Sequence, residues 1–126
     1  MLFLGGHAFV KKLGSTVVVT DSSTDPPLEV TMSTDHWKHL CFAVMKSKSK
    51  GKKVCLRKTL GPITLMIIRQ RRRSHCAVFS DSASIVLKNQ DWKGLVNLAH
   101  REVHRWKRRA KVKERKALER LQQLHL

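Results

Sequence analysis

His100 and His104 stand four residues apart in a stretch of helical pattern, and His36, His39 and Cys41 cluster in a second such stretch, so metal binding is the first chemistry to weigh. Residues at i and i+4 share one face of a helix. His100-Arg-Glu-Val-His104 is nevertheless not the zinc-protease order His-Glu-x-x-His, because Glu102 follows an arginine and points away from the place a general base must hold. No four-ligand spacing is complete, and no metal is expected. Catalytic parts are lacking in the same way: there is no phosphate-cradling glycine loop and no nucleophile elbow, and none of the nine carboxylates is paired for acid/base work. Cys76 beside His75 reads as a structural thiol. The expectation is a chain that is not an enzyme and carries no catalytic residue and no cofactor.

Charge supplies the chemistry that remains. The 126 residues carry a formal net charge of +17, an excess that calls for a polyanionic partner. It is unevenly placed. Residues 1–45 hold three bases and four acids, residues 46–80 hold eleven bases and no acid, and residues 81–126 hold twelve bases against five acids. In the middle segment Lys46, Lys48, Lys50, Lys52, Lys53, Arg57 and Lys58 lie on one side, and Arg69, Arg71, Arg72 and Arg73 on the other. The C-terminal stretch adds Arg101, Arg105, Arg108, Arg109 and Lys111, with Lys107, Lys113, Arg115 and Lys116 among them. Each such side chain that neutralises a phosphate releases counterions, so these bases are the expected nucleic-acid-binding residues.

Aromatic side chains could add stacking platforms, worth roughly 1–3 kcal/mol per unpaired base. With no Tyr, four Phe and three Trp, that readout is thinly supplied. Trp37 and Trp92 sit where core anchors belong, Phe9 and Phe79 fall on strands that could face either way, and Trp106 reads as a packing or partner contact. Cys41, Cys55 and Cys76 form no Cys-x-x-Cys pair and leave a thiol over, which points to free thiols inside a cell. No apolar run approaches the roughly 20 residues of a membrane span, and no membrane partner is expected. The first residues lack the order of a signal peptide, although the acid-free stretch Met1 to Val19 with Lys11 and Lys12 leaves an organellar address open. An intracellular location is expected, with the choice between the nucleus, an organelle such as the mitochondrion and other compartments left open.

The elements that must position these groups repeat. With an offset of 55, Val30 falls on Ile85, Met32 on Leu87, Trp37 on Trp92, Lys38 on Lys93 and Leu40 on Leu95. A second echo pairs Phe9-Val-Lys-Lys-Leu-Gly with Cys55-Leu-Arg-Lys-Thr-Leu-Gly, one residue being allowed as a gap. Such similar units are a repeat before they are anything else. Each reads as strands followed by a helix. Thr16–Thr20 is β-branched throughout, Leu28–Met32 alternates with period two, and Ser33-Thr34-Asp35 offers an N-cap before Trp37, Leu40, Cys41 and Val44 at helical spacing. In the second unit Lys53–Leu60, Ile63–Gln70, Cys76–Phe79 and Ser84–Leu87 are strands, Asn89 caps, and the helix runs on to Leu126 with Gly94 as its one interruption.

A period-two strand, a Ser/Thr/Asx cap, and then Trp and Leu three apart is similar to the strand-to-helix junction of single-stranded-DNA-binding coactivators of the positive-cofactor-four type. Two such units in one chain resemble the Whirly and PUR-repeat arrangement, and Lys50-Gly-Lys-Lys-Val-Cys-Leu56 resembles the Lys-Gly-Lys strand motif of Whirly proteins. The resemblance implies an α+β fold of two ββββα repeats packed as a pseudo-dimer, holding single-stranded DNA or RNA across its sheet faces.

The expected organisation is a first repeat at 1–45, a Lys/Ser linker at 46–53, a second repeat at 54–106 and a basic amphipathic helical extension at 107–126. Leu118, Leu121 and Leu124 form an apolar stripe that wants a protein partner or a second copy. The charge split further suggests that unit one chiefly completes the core while unit two makes the contacts, so that Lys11 and Lys12 matter little. Two other readings stay open: a structural protein of a large ribonucleoprotein such as a ribosome, and a viral or regulatory RNA binder whose Arg69-Gln-Arg-Arg-Arg73 resembles an arginine-rich motif.

Overall fold

Strands form where apolar residues alternate or β-branched residues run together, and each run ends at a turn-forming residue. A computed structural model describes residues 1–48, 54–69 and 74–124. The first unit comprises β1 (Leu2–Phe3), β2 (Ala8–Leu13), β3 (Thr16–Asp21), β4 (Leu28–Ser33) and α1 (Thr34–Lys48). The second comprises β5 (Val54–Leu60), β6 (Ile63–Arg69), β7 (Ser74–Phe79), β8 (Ser84–Lys88) and α2 (Gln90–Leu124). Each set of four strands is an antiparallel meander in sequence order, giving two four-stranded sheets. The fold is therefore α+β, two ββββα units with a long basic C-terminal helix, as the repeat implied.

Register confirms the junctions. Val19 pairs with Val30 and Val17 with Met32 in the first sheet, while Val78 pairs with Ile85 and Cys76 with Leu87 in the second. All eight are buried, together with Trp37, Leu40, Trp92 and Leu95, in one hydrophobic cluster shared by both units. Ser33 Oγ accepts the His36 N–H (3.1 Å) and so caps α1. Asn89 enters α2 differently: it takes φ 55°, a conformation Asn tolerates, and its carbonyl accepts the Lys93 N–H at 3.1 Å.

Three expectations shift. α1 continues through Lys46 and Ser47 to Lys48, so the first residues of the expected linker are helical; the Ser47 hydroxyl is buried and donates to the Val44 carbonyl (2.6 Å). The second sequence echo is out of step, because it lays the β2–β3 turn over the β5–β6 turn. Gly14 and Gly61 share the same left-handed φ (62° and 61°), so the echo reports two hairpins of like chemistry and not equivalent places in the repeat.

The third shift concerns the helices, which are partly exchanged: each packs on its own sheet and also reaches the other unit. α2 does not lie against its own sheet alone. At its start the Asp91 carboxylate accepts N–H groups from Gly6, His7 and Ala8 in the β1–β2 turn (2.8, 3.1 and 3.2 Å). A turn later a Cβ on Gly94 would fall on the Leu4 backbone, and two turns beyond that Glu102 pairs with Lys12 of β2. α1 mirrors this course across the second sheet. His36, which stands where Asp91 stands, lies against Gly61 of the β5–β6 turn, and the Ser47 carbonyl accepts from Arg69 Nη1 of β6 at 3.0 Å. β4 and β8 run beside each other and α1 packs on α2, which completes the pseudo-dimer.

Candidate functional site

Lysine and arginine on a surface helix extend into water unless a carboxylate or a carbonyl holds them, and α2 carries ten between Arg101 and Arg120. Among the described residues only Arg105, through Glu102, and Arg115, through Glu119 at 3.9 Å, meet a carboxylate. The buried face of α2 ends at Val103, with Trp106 half-buried, and every residue from Lys107 to Leu124 is exposed. These last 18 residues extend for about 27 Å.

The helix exchange decides what these bases face. Because α2 lies over the first unit, Arg101, Arg105 and Arg108 line a cleft of about 440 Å³ with Lys12 of β2 and Leu2 of β1. A second hollow, about 360 Å³, opens on the other flank, where Arg105 and Arg109 stand with Lys38 around Trp106. There the Lys38 ammonium lies 5.6 Å from the Trp106 ring centre, and Phe42 packs on the same ring at 6.0 Å. Arg105 and Arg108 turn up again with Arg109 and Lys113 along the helix. The basic charge of the second unit is thus delivered against the sheet of the first.

The remaining expected contacts lie elsewhere. Arg57 and Lys58 are exposed on β5, the free edge of the second sheet, and are not brought to α2. Lys46 is exposed on α1, and Lys48 ends that helix. Arg69 is half-buried and spends its guanidinium on the α1 carbonyl end, where the helix dipole favours a cation, so it ties sheet to helix. Lys50, Lys52, Lys53, Arg71, Arg72 and Arg73 lie outside the described residues. Lys111 is exposed on the free part of α2.

Sequence reasoning missed Lys12 and Glu102. Glu102 is 3% exposed and is held between Lys12 and Arg105, so Lys12 is a structural partner and not a dispensable surface base. The signal was present: one acid in a basic helix, directly before buried Val103, needs cations opposite. The sheet faces turned away from the core hold a further surprise. Phe3 is 75% exposed and packs on Phe9 with ring centres 5.8 Å apart, while Lys11 Nζ sits 5.7 Å from the Phe9 ring centre. On the second sheet the equivalent face presents Arg57, Met66, Phe79, Val86 and Lys88.

His100 and His104 stack (6.4 Å between centres, 10° between planes), but among the described residues no group of three or more His, Cys, Asp or Glu could hold a metal. No helix among the described residues is long and apolar enough to cross a membrane. The sequence matches no known protein family and no curated protein. Among solved structures it is similar to a DUF155-family protein of unknown function from Prochlorococcus sp. NATL2A, with 15% identity and a TM-score of 0.43 over 74% of this chain and 96% of that one. So distant a likeness carries no argument here.

Proposed function

We propose that this chain is a non-enzymatic binder of single-stranded nucleic acid, RNA or DNA, that takes its ligand along α2 and the adjoining first sheet. The observation that carries the reading is the run of bases on α2, all but Arg105 and Arg115 without a carboxylate partner among the described residues, set beside hollows that Arg101, Arg105, Arg108 and Arg109 rim. Phe3 and Phe9 support it as a ring surface open to unpaired bases. Arg57, Phe79 and Lys88, which share the outer face of the second sheet, extend the same chemistry there, in the manner the Whirly and PUR-repeat resemblance implies. Free thiols fit an intracellular site of action, in the nucleus or an organelle.

Fluorescence anisotropy with labelled single strands, matched duplex and a range of salt concentrations tests the proposal. Affinity should depend little on sequence, favour the single strand, and fall by about a thousandfold or more between roughly 50 and 200 mM salt. Binding that ignores salt, or a preference for duplex, would sink it.

A second reading, a fixed component of a large ribonucleoprotein, is favoured by the free end of α2. Leu118, Leu121 and Leu124 are 53–80% exposed on a helix with nothing to lie on, a surface suited to burial by an assembly or a partner. A purified chain that stays soluble and monomeric favours the first reading; one that precipitates without its assembly favours the second.

A further inference from the structure

We infer that the cleft between α2 and the β1–β2 edge is a binding site for one nucleotide unit of the strand, with the phosphate against Arg101, Arg105 and Arg108 and the base over the apolar floor. The inference rests on the nucleic-acid reading above and adds a place and a ligand unit to it.

Glu102 is the starting point. A buried carboxylate is costly to desolvate, and a fold keeps one only where its partners are well placed. The repeat supplies the comparison. Ser47 stands on α1 where Glu102 stands on α2, and its hydroxyl satisfies itself on the Val44 carbonyl (2.6 Å). The architecture is therefore complete at this position with a small neutral residue. Glu102 goes further, because it holds two cations from different elements, Lys12 of β2 and Arg105 of α2, on one wall of the cleft. Side chains so tethered are already ordered before a ligand arrives, which reduces the entropy lost on binding.

The composition of the cleft selects the ligand. Lys12, Arg101, Arg105 and Arg108 stand against the single carboxylate of Glu102, so an anion is favoured even after the internal pairs are counted. A bare ion would leave the rest of the space unused. Leu2 and Leu98 give an apolar floor, and the stacked rings of His100 and His104 add aromatic lining. A volume of about 440 Å³ lies within the range of roughly 300–1,000 Å³ that accommodates small organic ligands. A ligand with an anionic end and a flat, largely apolar end is a nucleotide, and an unpaired one is favoured, since a base within a duplex must first be unstacked and unpaired to enter. The pseudo-symmetric place on the second sheet lacks this design: Lys12 is replaced by Ile67 and Glu102 by Ser47.

The test removes equal charge at two places on α2. The double variant Arg101→Ala/Arg108→Ala strips the cleft; Lys116→Ala/Arg120→Ala strips the free end and touches none of the hollows. All four residues are exposed, and circular dichroism checks that both variants stay folded. Anisotropy with a fluorescein-labelled oligothymidylate at fixed salt should show the cleft variant weaker than the other by about tenfold or more. Thymidine monophosphate added to the wild-type chain should move the His100 and His104 ring-proton resonances, and inorganic phosphate at the same concentration should not. Equal losses in the two variants, or histidine signals that respond alike to both additions, overturn the cleft while leaving nucleic-acid binding intact. A wild-type chain that fails to bind the oligonucleotide at all overturns both readings.

Discussion

Cys41 and Cys76 are fully buried in the shared core, and Cys55 is exposed on the edge strand β5. Burial disfavours the thiolate, pushing Cys76 up to about 12 from 9.0 and raising Cys41 in the same sense, with the nearby Glu102 carboxylate adding to the effect there. The sign of the linkage follows. Below pH 9.0 both folded and unfolded chains keep these protons, and the contribution to stability is complete; from 9.0 toward 12 the unfolded chain sheds protons that the folded chain retains. Stability therefore falls as pH rises through that window. Melting temperatures measured on either side of pH 9.0 should decline only on the alkaline side, and the decline should shrink in Cys76→Ala. At neutral pH, iodoacetamide should label Cys55 alone until the chain is unfolded. Rapid labelling of all three native thiols would contradict this account of the core.

At the scale of elements, Gly94 shows what local pattern conveys and what it conceals. It interrupts an otherwise good helix because α2 passes so close to Leu4 that any Cβ would meet backbone. Gly94→Ala should destabilise by about 2–3 kcal/mol, although alanine is the better helix former, and lower the melting temperature by roughly 10 °C. Asn97→Ala, exposed on the same helix, should leave it nearly unchanged; a stabilised Gly94→Ala would mean that the two elements are not in contact. The strand-to-helix junctions were legible because Val30, Met32, Trp37 and Leu40 match Ile85, Leu87, Trp92 and Leu95 in burial as well as in type. Which sheet each helix covers was not legible. A 3.6-residue period says that Trp92, Leu95 and Ala99 share a buried face, but nothing in it names the strands on the other side. For the same reason the bases of α2 were assigned to the second unit, whereas the exchange carries Arg101, Arg105 and Arg108 to Lys12 and Leu2 of the first.

For the whole molecule, the exchange means that the two units are not two domains. Each helix packs on its own sheet and also reaches the other unit, α1 to β5 and β6 and α2 to Leu4 and Lys12, and both fill a single core. Fragments 1–48 and 54–124 should therefore be largely unfolded apart, and should regain the native circular dichroism and a cooperative melt when mixed. Independent folding of either fragment would refute the shared core. The acidic balance of residues 1–45 also takes on a different meaning: it belongs to the platform against which the basic helix is laid.

Asp91, in the fourth fifth of the chain's length, is tied to the first by its bonds to Gly6, His7 and Ala8, and that closure has a consequence in time. A chain made from its N-terminus emerges with the valine-lined inner face of the first sheet complete long before the second unit that completes their shared core has been synthesised. Its earliest strands must wait, with apolar surface open to water, for residues 90–106 to clear the ribosome. Folding is thereby deferred to the end of synthesis, when both helices can close over both sheets together, and a nascent chain stalled before α2 is the form most exposed to aggregation.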